Sequence, residues 1–154
     1  MLIDFQKLHK DAVIPEYATD GSGAFDLFAV SYRKIFDNVY EYDLGFAVAI
    51  PKDYSLFILS RSGQGFKYQT RLSNCVGLID SDYRGVVKVQ LFEDFAEEDA
   101  FGGYYSDVTA YPYDDLSKAV AQGVILHTPK VQFNVVDELP RTLRGNGGFG
   151  STNK

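Results

Sequence analysis

Short apolar or alternating runs recur between turn residues along this chain, and few stretches carry a helical period. Ala24 to Val30, Leu44 to Ile50, Ser55 to Leu59, Val86 to Phe92, Gly123 to Leu126 and Val131 to Val136 are such runs. Asp20-Gly21, Pro51-Lys52-Asp53, Asp82 to Gly85 and Pro129 punctuate them. Side chains alternate between two faces along a strand, so runs this short suit sheets better than helices. Many short strands at close spacing predict an all-β domain, a sandwich or a barrel. One short helix at most is expected, somewhere after Ser62. Aromatic usage agrees, with 11 Tyr, 12 Phe and no Trp, because Tyr and Phe favour strands.

A length of 154 residues predicts a single domain with a core large enough to need no disulfide or metal staple. The lone Cys75 excludes an internal disulfide framework and a CxxC metal cluster, and reads as a small buried hydrophobe. His9 and His127 stand apart, without HxxxH or HxH spacing, so a His-rich metal site is not expected. No P-loop, GxSxG or GxGxxG unit is present. No charged-then-apolar leader opens the chain, and no apolar run approaches the ~20 residues of a membrane helix. A cytoplasmic protein with no membrane partner is the expectation.

Charge is uneven. The chain holds 15 Lys+Arg and 21 Asp+Glu, a net of −6. That argues against stable nucleic-acid binding, which needs a basic face. Eight of the acids fall between Glu93 and Ser117, a stretch without Lys or Arg that also holds Tyr104, Tyr105, Tyr111 and Tyr113. The remaining residues carry 15 basic groups against 13 acidic ones, a net of +2.

Five segments hold side chains suited to chemistry. The tail Arg144-Gly-Asn-Gly-Gly-Phe149-Gly150-Ser151-Thr152 is Gly-rich and is expected to be mobile when empty. Its free backbone N–H groups, its Arg and its two hydroxyls suit an anion, and Phe149 can swing over a nucleobase. The same composition also fits a plain linker-like terminus. Ser60-Arg61-Ser62-Gly63 suits phosphate at a strand-to-helix turn, or is an ordinary turn. Asp80 follows the apolar Val76-Gly77-Leu78-Ile79. Held in a partly dry pocket it would orient and deprotonate a water; otherwise it serves a hairpin turn. Asp26 and Gln122 are polar residues on apolar runs, and each needs a partner, a metal shell or a neighbouring backbone.

Taken in order, these segments resemble the trimeric dUTPase family (deoxyuridine triphosphate nucleotidohydrolases). Gly23-Ala-Phe-Asp26-Leu-Phe-Ala29 is similar to its first motif with an Ala-Gly pair reversed, and Arg61-Ser62-Gly63 to its second. Gly77-Leu-Ile79-Asp80-Ser-Asp-Tyr83-Arg-Gly85 and Arg144 to Thr152 match the third and fifth in full. The fourth keeps only Ala121-Gln122; its usual Gly-acid-Arg-Ile lead is Ser117-Lys-Ala-Val120 here. The family connects its third and fourth motifs by a much shorter hairpin, so 93–117 resembles an insertion.

The resemblance implies a distorted jelly-roll β-barrel over 1–154, an arm over about 141–154 that reaches a neighbour's site, and a homotrimer. It implies dUTP hydrolysis to dUMP and pyrophosphate with Mg²⁺. Asp80 would activate the water, and Asp26 would hold metal-bound waters from the outer shell. Arg61, Ser62, Gly63 and Gln122 would grip the phosphate chain, while Arg144, Gly150, Ser151 and Thr152 would close over it. Asn74, Gly77 and Ile79 would read uracil through the hairpin backbone, Tyr83 would pack on the deoxyribose, and Phe149 would stack on the base. Two alternatives remain: a dCTP deaminase of similar architecture, and a regulator that binds a protein partner through 93–117. If phage-encoded, the protein would act in the host cytoplasm.

Overall fold

The computed structural model describes residues 1–94 and 111–150. Among them, eleven strands and one helix follow in order. The first six strands are β1 (Asp4–Lys7), β2 (Glu16–Tyr17), β3 (Phe25–Leu27), β4 (Ser31–Phe36), β5 (Val39–Asp43) and β6 (Phe46–Ala49). Then come β7 (Tyr54–Leu59), α1 (Ser62–Tyr68), β8 (Thr70–Leu72), β9 (Val76–Ile79), β10 (Lys88–Glu93) and β11 (Ala121–His127). All pairings are antiparallel. They form a β1-β6 pair, a four-stranded β4-β5-β10-β8 sheet and a five-stranded β2-β3-β11-β7-β9 sheet.

Alternation decides which face turns inward. In the β5–β10 ladder, Tyr42 lies opposite Val89 and Tyr40 opposite Leu91, and all four are buried. Their intervening neighbours Glu41, Lys88 and Gln90 meet on the other face, where Glu41 accepts from Lys88 and Gln90, each at 3.3 Å. The five-stranded sheet contributes Leu27, Leu56 and Ile58 to the same core, with Leu44, Phe46, Leu72, Val87 and Val120 closing it. Gly123 allows β11 to sit between β3 and β7: a Cβ there would overlap the Phe25 ring and lie 2.9 Å from Leu56 Cδ1. The all-β expectation holds, and the one helix begins at Ser62, at the expected place.

Two readings are corrected. Val131 to Val136 forms no strand, although it alternates. Val131, Phe133 and Val135 are exposed, and a strand requires a ladder partner that none of the described residues supplies there. Cys75 is exposed rather than buried. It sits in the tight β8–β9 turn with φ +63, where the chain reverses outside the core.

The stretch 93–117 is anchored at both ends. Glu93 is buried and its carboxylate accepts from the Tyr111 N–H at 3.0 Å. Arg71 Nε lies 3.2 Å from the Asp94 carboxylate. Tyr113 stacks on Tyr40 with centroids 4.3 Å apart, and its carbonyl accepts from the Tyr42 hydroxyl at 3.0 Å. Residues 95–110, and with them most of the expected insertion, lie outside the described residues.

Candidate functional site

Register brings the first group together. Gln122 on β11 lies opposite Asp26 on β3 and opposite Leu59 on β7. Leu59 is two residues before Arg61, so one three-strand crossing gathers Asp26, Gln122 and Arg61. Arg61 Nε lies 3.1 Å from Asp26 Oδ1 and Nη2 donates to Oδ2 at 3.4 Å. Nη1 donates to the Ala119 carbonyl at 3.0 Å. A fork of this kind fixes the guanidinium plane as well as its charge. Gln122 Nε2 donates to the Ser60 carbonyl at 2.9 Å. The two polar residues on apolar strands are therefore satisfied, as burial requires.

These side chains line a cleft of about 620 Å³ together with Ser62, Gly63, Gln64, Lys67, Tyr111 and Lys118. Sequence reasoning missed Gln64, Lys67, Tyr111 and Lys118. Lys118 had a signal, since it stands where the resemblance expects an acid. It pairs with Asp115 at 3.0 Å, and that contact raises its pKa above the ordinary value. Hydrogen bonds from Ser117, then Lys118, hold the Asp115 carboxyl below its ordinary value. Burial pushes the Tyr111 phenol up.

A second cleft, of about 290 Å³, opens over the β8–β9 hairpin and holds Asn74, Gly77 and Ile79. Gly77 is buried, and a Cβ there would stand 3.1 Å from Ile58 Cβ. Asp80 and Tyr83 line neither cleft. They sit in a turn closed by the Tyr83 N–H donating to the Asp80 carbonyl at 3.2 Å. The turn braces itself: the Tyr83 hydroxyl donates to the Val86 carbonyl at 3.1 Å, and Arg84 Nη1 to the Ser81 carbonyl at 2.7 Å. A Cβ at Gly85 would overlap the Tyr83 ring.

The dry surroundings expected for Asp80 are absent in the single chain, where Asp80 is exposed. The reason is topological. β9 is the edge of the five-stranded sheet and pairs only with β7, so none of the described residues adds a strand beyond it. Arg144, Phe149 and Gly150 lie far along an exposed tail that has no regular structure from Pro129 to Gly150. Arg144 Nε donates to the Gly147 carbonyl at 2.8 Å, and Phe149 and Gly150 take the left-handed φ values +51 and +87. Ser151 and Thr152 lie outside the described residues. Among the described residues, no helix is long and apolar enough to cross a membrane.

Fold and clefts together define an all-β protein with a cationic, carboxylate-bearing cleft at Asp26 and Arg61 and a separate pocket at the β8–β9 hairpin. The family model described as dUTPase matches residues 10–98. A deoxyuridine 5'-triphosphate nucleotidohydrolase of Helicobacter pylori is 37% identical over 153 residues, covering 99% of this chain and 97% of its own. The protein of that name from Wolinella succinogenes is also 37% identical, covering 100% of this chain and 95% of its own. The chain belongs to the dUTPase family. Among solved structures, the dUTPase of Staphylococcus bacteriophage 80alpha with dUPNHPP shares the fold. Its TM-score is 0.77 at 22% identity, with 99% of both chains covered.

Proposed function

We propose that this chain hydrolyses dUTP to dUMP and pyrophosphate, limiting uracil incorporation into DNA and supplying dUMP. The observation that carries the reading is the convergence of Asp26, Arg61 and Gln122 in one cleft of a chain of this family. In the reaction, a water oxygen attacks the α-phosphorus and its proton passes to Asp80. The bond from the α-phosphorus to the bridging oxygen breaks, and pyrophosphate leaves.

Arg61, Ser62, Gly63 and Gln122 bind the phosphate chain, and Asp26 keeps the Arg61 fork aimed along the cleft wall. The hairpin of Asn74, Gly77 and Ile79 takes the uracil edge, where a cytosine would leave buried groups unpaired. Tyr83 backs the deoxyribose. Arg144, Phe149, Gly150, Ser151 and Thr152 of the arm complete the enclosure.

The donor set fits Mg²⁺. Among the described residues, Asp26 brings the one carboxylate to the lining of this cleft, and no three His, Cys, Asp or Glu side chains cluster. Mg²⁺ suits such a place because it keeps several waters and binds mainly through substrate phosphates. Asp26 would hold those waters from the outer shell. The ion, when bound, offsets charge on the triphosphate.

The reading takes the chain as one domain over 1–154, with 93–117 inserted and an arm over about 141–154. It takes the assembly as a homotrimer in the cytoplasm, or in a host's cytoplasm if phage-encoded. Support for a shared site is physical: among the described residues, the Asp80 turn is exposed and the exposed alternation Val131, Phe133, Val135 has no ladder partner. A protein partner at 93–117 would fall mostly outside the described residues.

The test is pyrophosphate release from dUTP, dCTP, dTTP and UTP with Mg²⁺. Strong preference for dUTP is expected. Equal rates on all four would sink the reading, and uracil-base product from dCTP would move it to the deaminase.

A further inference from the structure

Gln64 is an unusual residue for its place. Its side chain is polar, yet it is 3% exposed at the back of the Arg61–Gly63 turn. It is fully used. Nε2 donates to the Tyr111 hydroxyl oxygen at 3.0 Å and to the Val120 carbonyl at 2.9 Å. Oε1 accepts from the Arg61 N–H at 3.3 Å. One amide therefore joins three segments: the phosphate-cleft turn, the entry to β11 and the foot of the stretch 93–117.

Tyr111 is itself fixed from behind. Its N–H is bound by the buried Glu93 carboxylate, and its ring meets Tyr68 edge-on with centroids 5.4 Å apart at 76°. Glu93 and Tyr111 thus clamp together the two ends of the inserted stretch. The clamp leads through a single hydroxyl to Gln64, and through Gln64 to the backbone of Arg61. Arg61 also reaches the Ala119 carbonyl with its guanidinium, so its main chain and its side chain are tied to the same two-residue entry of β11.

We propose that Tyr111 is a positioning residue for the phosphate cleft, acting through the buried Gln64 on the Arg61–Gly63 turn. The described foot of the stretch, at Glu93 and Tyr111, is then tied to the triphosphate half of the site. This rests on the dUTP-hydrolysis reading and names a residue for that same site. Pure packing would need the Tyr111 ring alone; positioning needs the hydroxyl.

The experiment compares Y111F, Q64L, the double variant and the control Y113F. It measures kcat and KM for dUTP, affinity for the non-hydrolysable analogue dUpNHpp, inhibition by dUMP, and melting. Loss of one neutral hydrogen bond corresponds to roughly 2- to 12-fold in an equilibrium. Y111F is expected to raise KM and weaken the analogue by about 3- to 10-fold, with kcat and dUMP inhibition within about 2-fold of wild type. dUMP lacks the two phosphates that the turn would grip. If Tyr111 acts through Gln64, adding Y111F to Q64L changes KM by less than about 2-fold, because coupled partners are non-additive. Y113F should match wild type, since the Tyr113 contribution is its ring and its carbonyl.

A Y111F protein with unchanged KM, whether or not it melts earlier, would overturn the proposal. So would equal weakening of dUMP and the triphosphate, or full additivity with Q64L. Wild-type selectivity for dUTP with a silent Y111F removes this inference alone. A wild-type protein that releases no pyrophosphate from dUTP removes the parent reading, and this one with it.

Discussion

The two clefts differ in how much of each a single chain completes. The Asp26–Arg61 cleft is built from three adjacent strands and a helix turn, and Asp26, Arg61, Gln122 and Gln64 already have partners. The hairpin cleft ends at an edge strand, and the Asp80 turn beside it is exposed. The first cleft is pre-formed by the fold, and the second is offered outward. The carboxylates show the contrast. Asp26 is held by a bidentate Arg, whereas Asp80 lies where a covering surface from elsewhere would be needed to dry it.

The sharpest way to test that contrast is Asp80→Asn. The substitution keeps shape and removes the base, in a turn that its own hydrogen bonds brace. General-base loss costs about 10²- to 10⁴-fold. Turnover should fall by that much, while dUpNHpp binding stays within a few fold. A near-wild-type rate would remove Asp80 from the mechanism. Truncation after Arg141 comes next. It deletes Arg144, Phe149 and Gly150, which are exposed and unpacked in the chain. Steady-state turnover should fall at least ~10²-fold, on the scale of one lost transition-state donor, with melting nearly unchanged. A large drop in melting would show that the tail stabilises its own chain.

How much of this is legible in the sequence depends on whether the cause is local. β6, β7, β10 and β11 follow directly from short apolar or alternating runs bounded by turn residues, which are local features. Asp26 and Gln122 are visible as polar residues on such runs, and their need for partners is a local fact. β4 and β5 are not among the marked runs. Their strands carry Arg33, Lys34, Glu41 and Asp43, and only tertiary pairing reveals that Tyr40 and Tyr42 turn inward. Val131 to Val136 fails in the opposite sense, since alternation is local but ladder pairing is not. Gln64 and Tyr111 are 47 residues apart, and no spacing rule connects a helix glutamine to a tyrosine at the end of an acidic stretch.

Gly123→Ala tests the packing next to Gln122, where β11 sits between β3 and β7. A methyl there meets Phe25 and Leu56 across two ladders. Overpacking of this kind costs about 1–3 kcal/mol, which for a domain of this size is roughly 2–12 °C in melting. The matching change on the edge side of the sheet, Leu78→Ala at an exposed position of β9, should cost much less. Equal losses would mean that the two halves are equally packed.

The smallest expected effect lies at the foot of the stretch 93–117. Asp115 accepts from Ser117 and pairs with Lys118 at 3.0 Å, and Lys118 lines the first cleft. The folded state holds the Asp115 pKa below its ordinary value of 3.8, chiefly through Ser117 and then Lys118. Its contribution to stability is therefore present above that value and lost as pH falls through the lower folded one. Asp115→Asn should lower melting slightly at neutral pH, and the gap to wild type should close below about pH 4. The same change leaves the Lys118 ammonium without its paired carboxylate beside the proposed triphosphate site. KM for dUTP should then fall, by less than about 3-fold, because exposed pairs are weak. The gain should vanish near 1 M salt, where the screening length is about 3 Å. A KM that rises instead would mean that the Asp115–Lys118 pair shapes the cleft rather than competing with the substrate for the lysine.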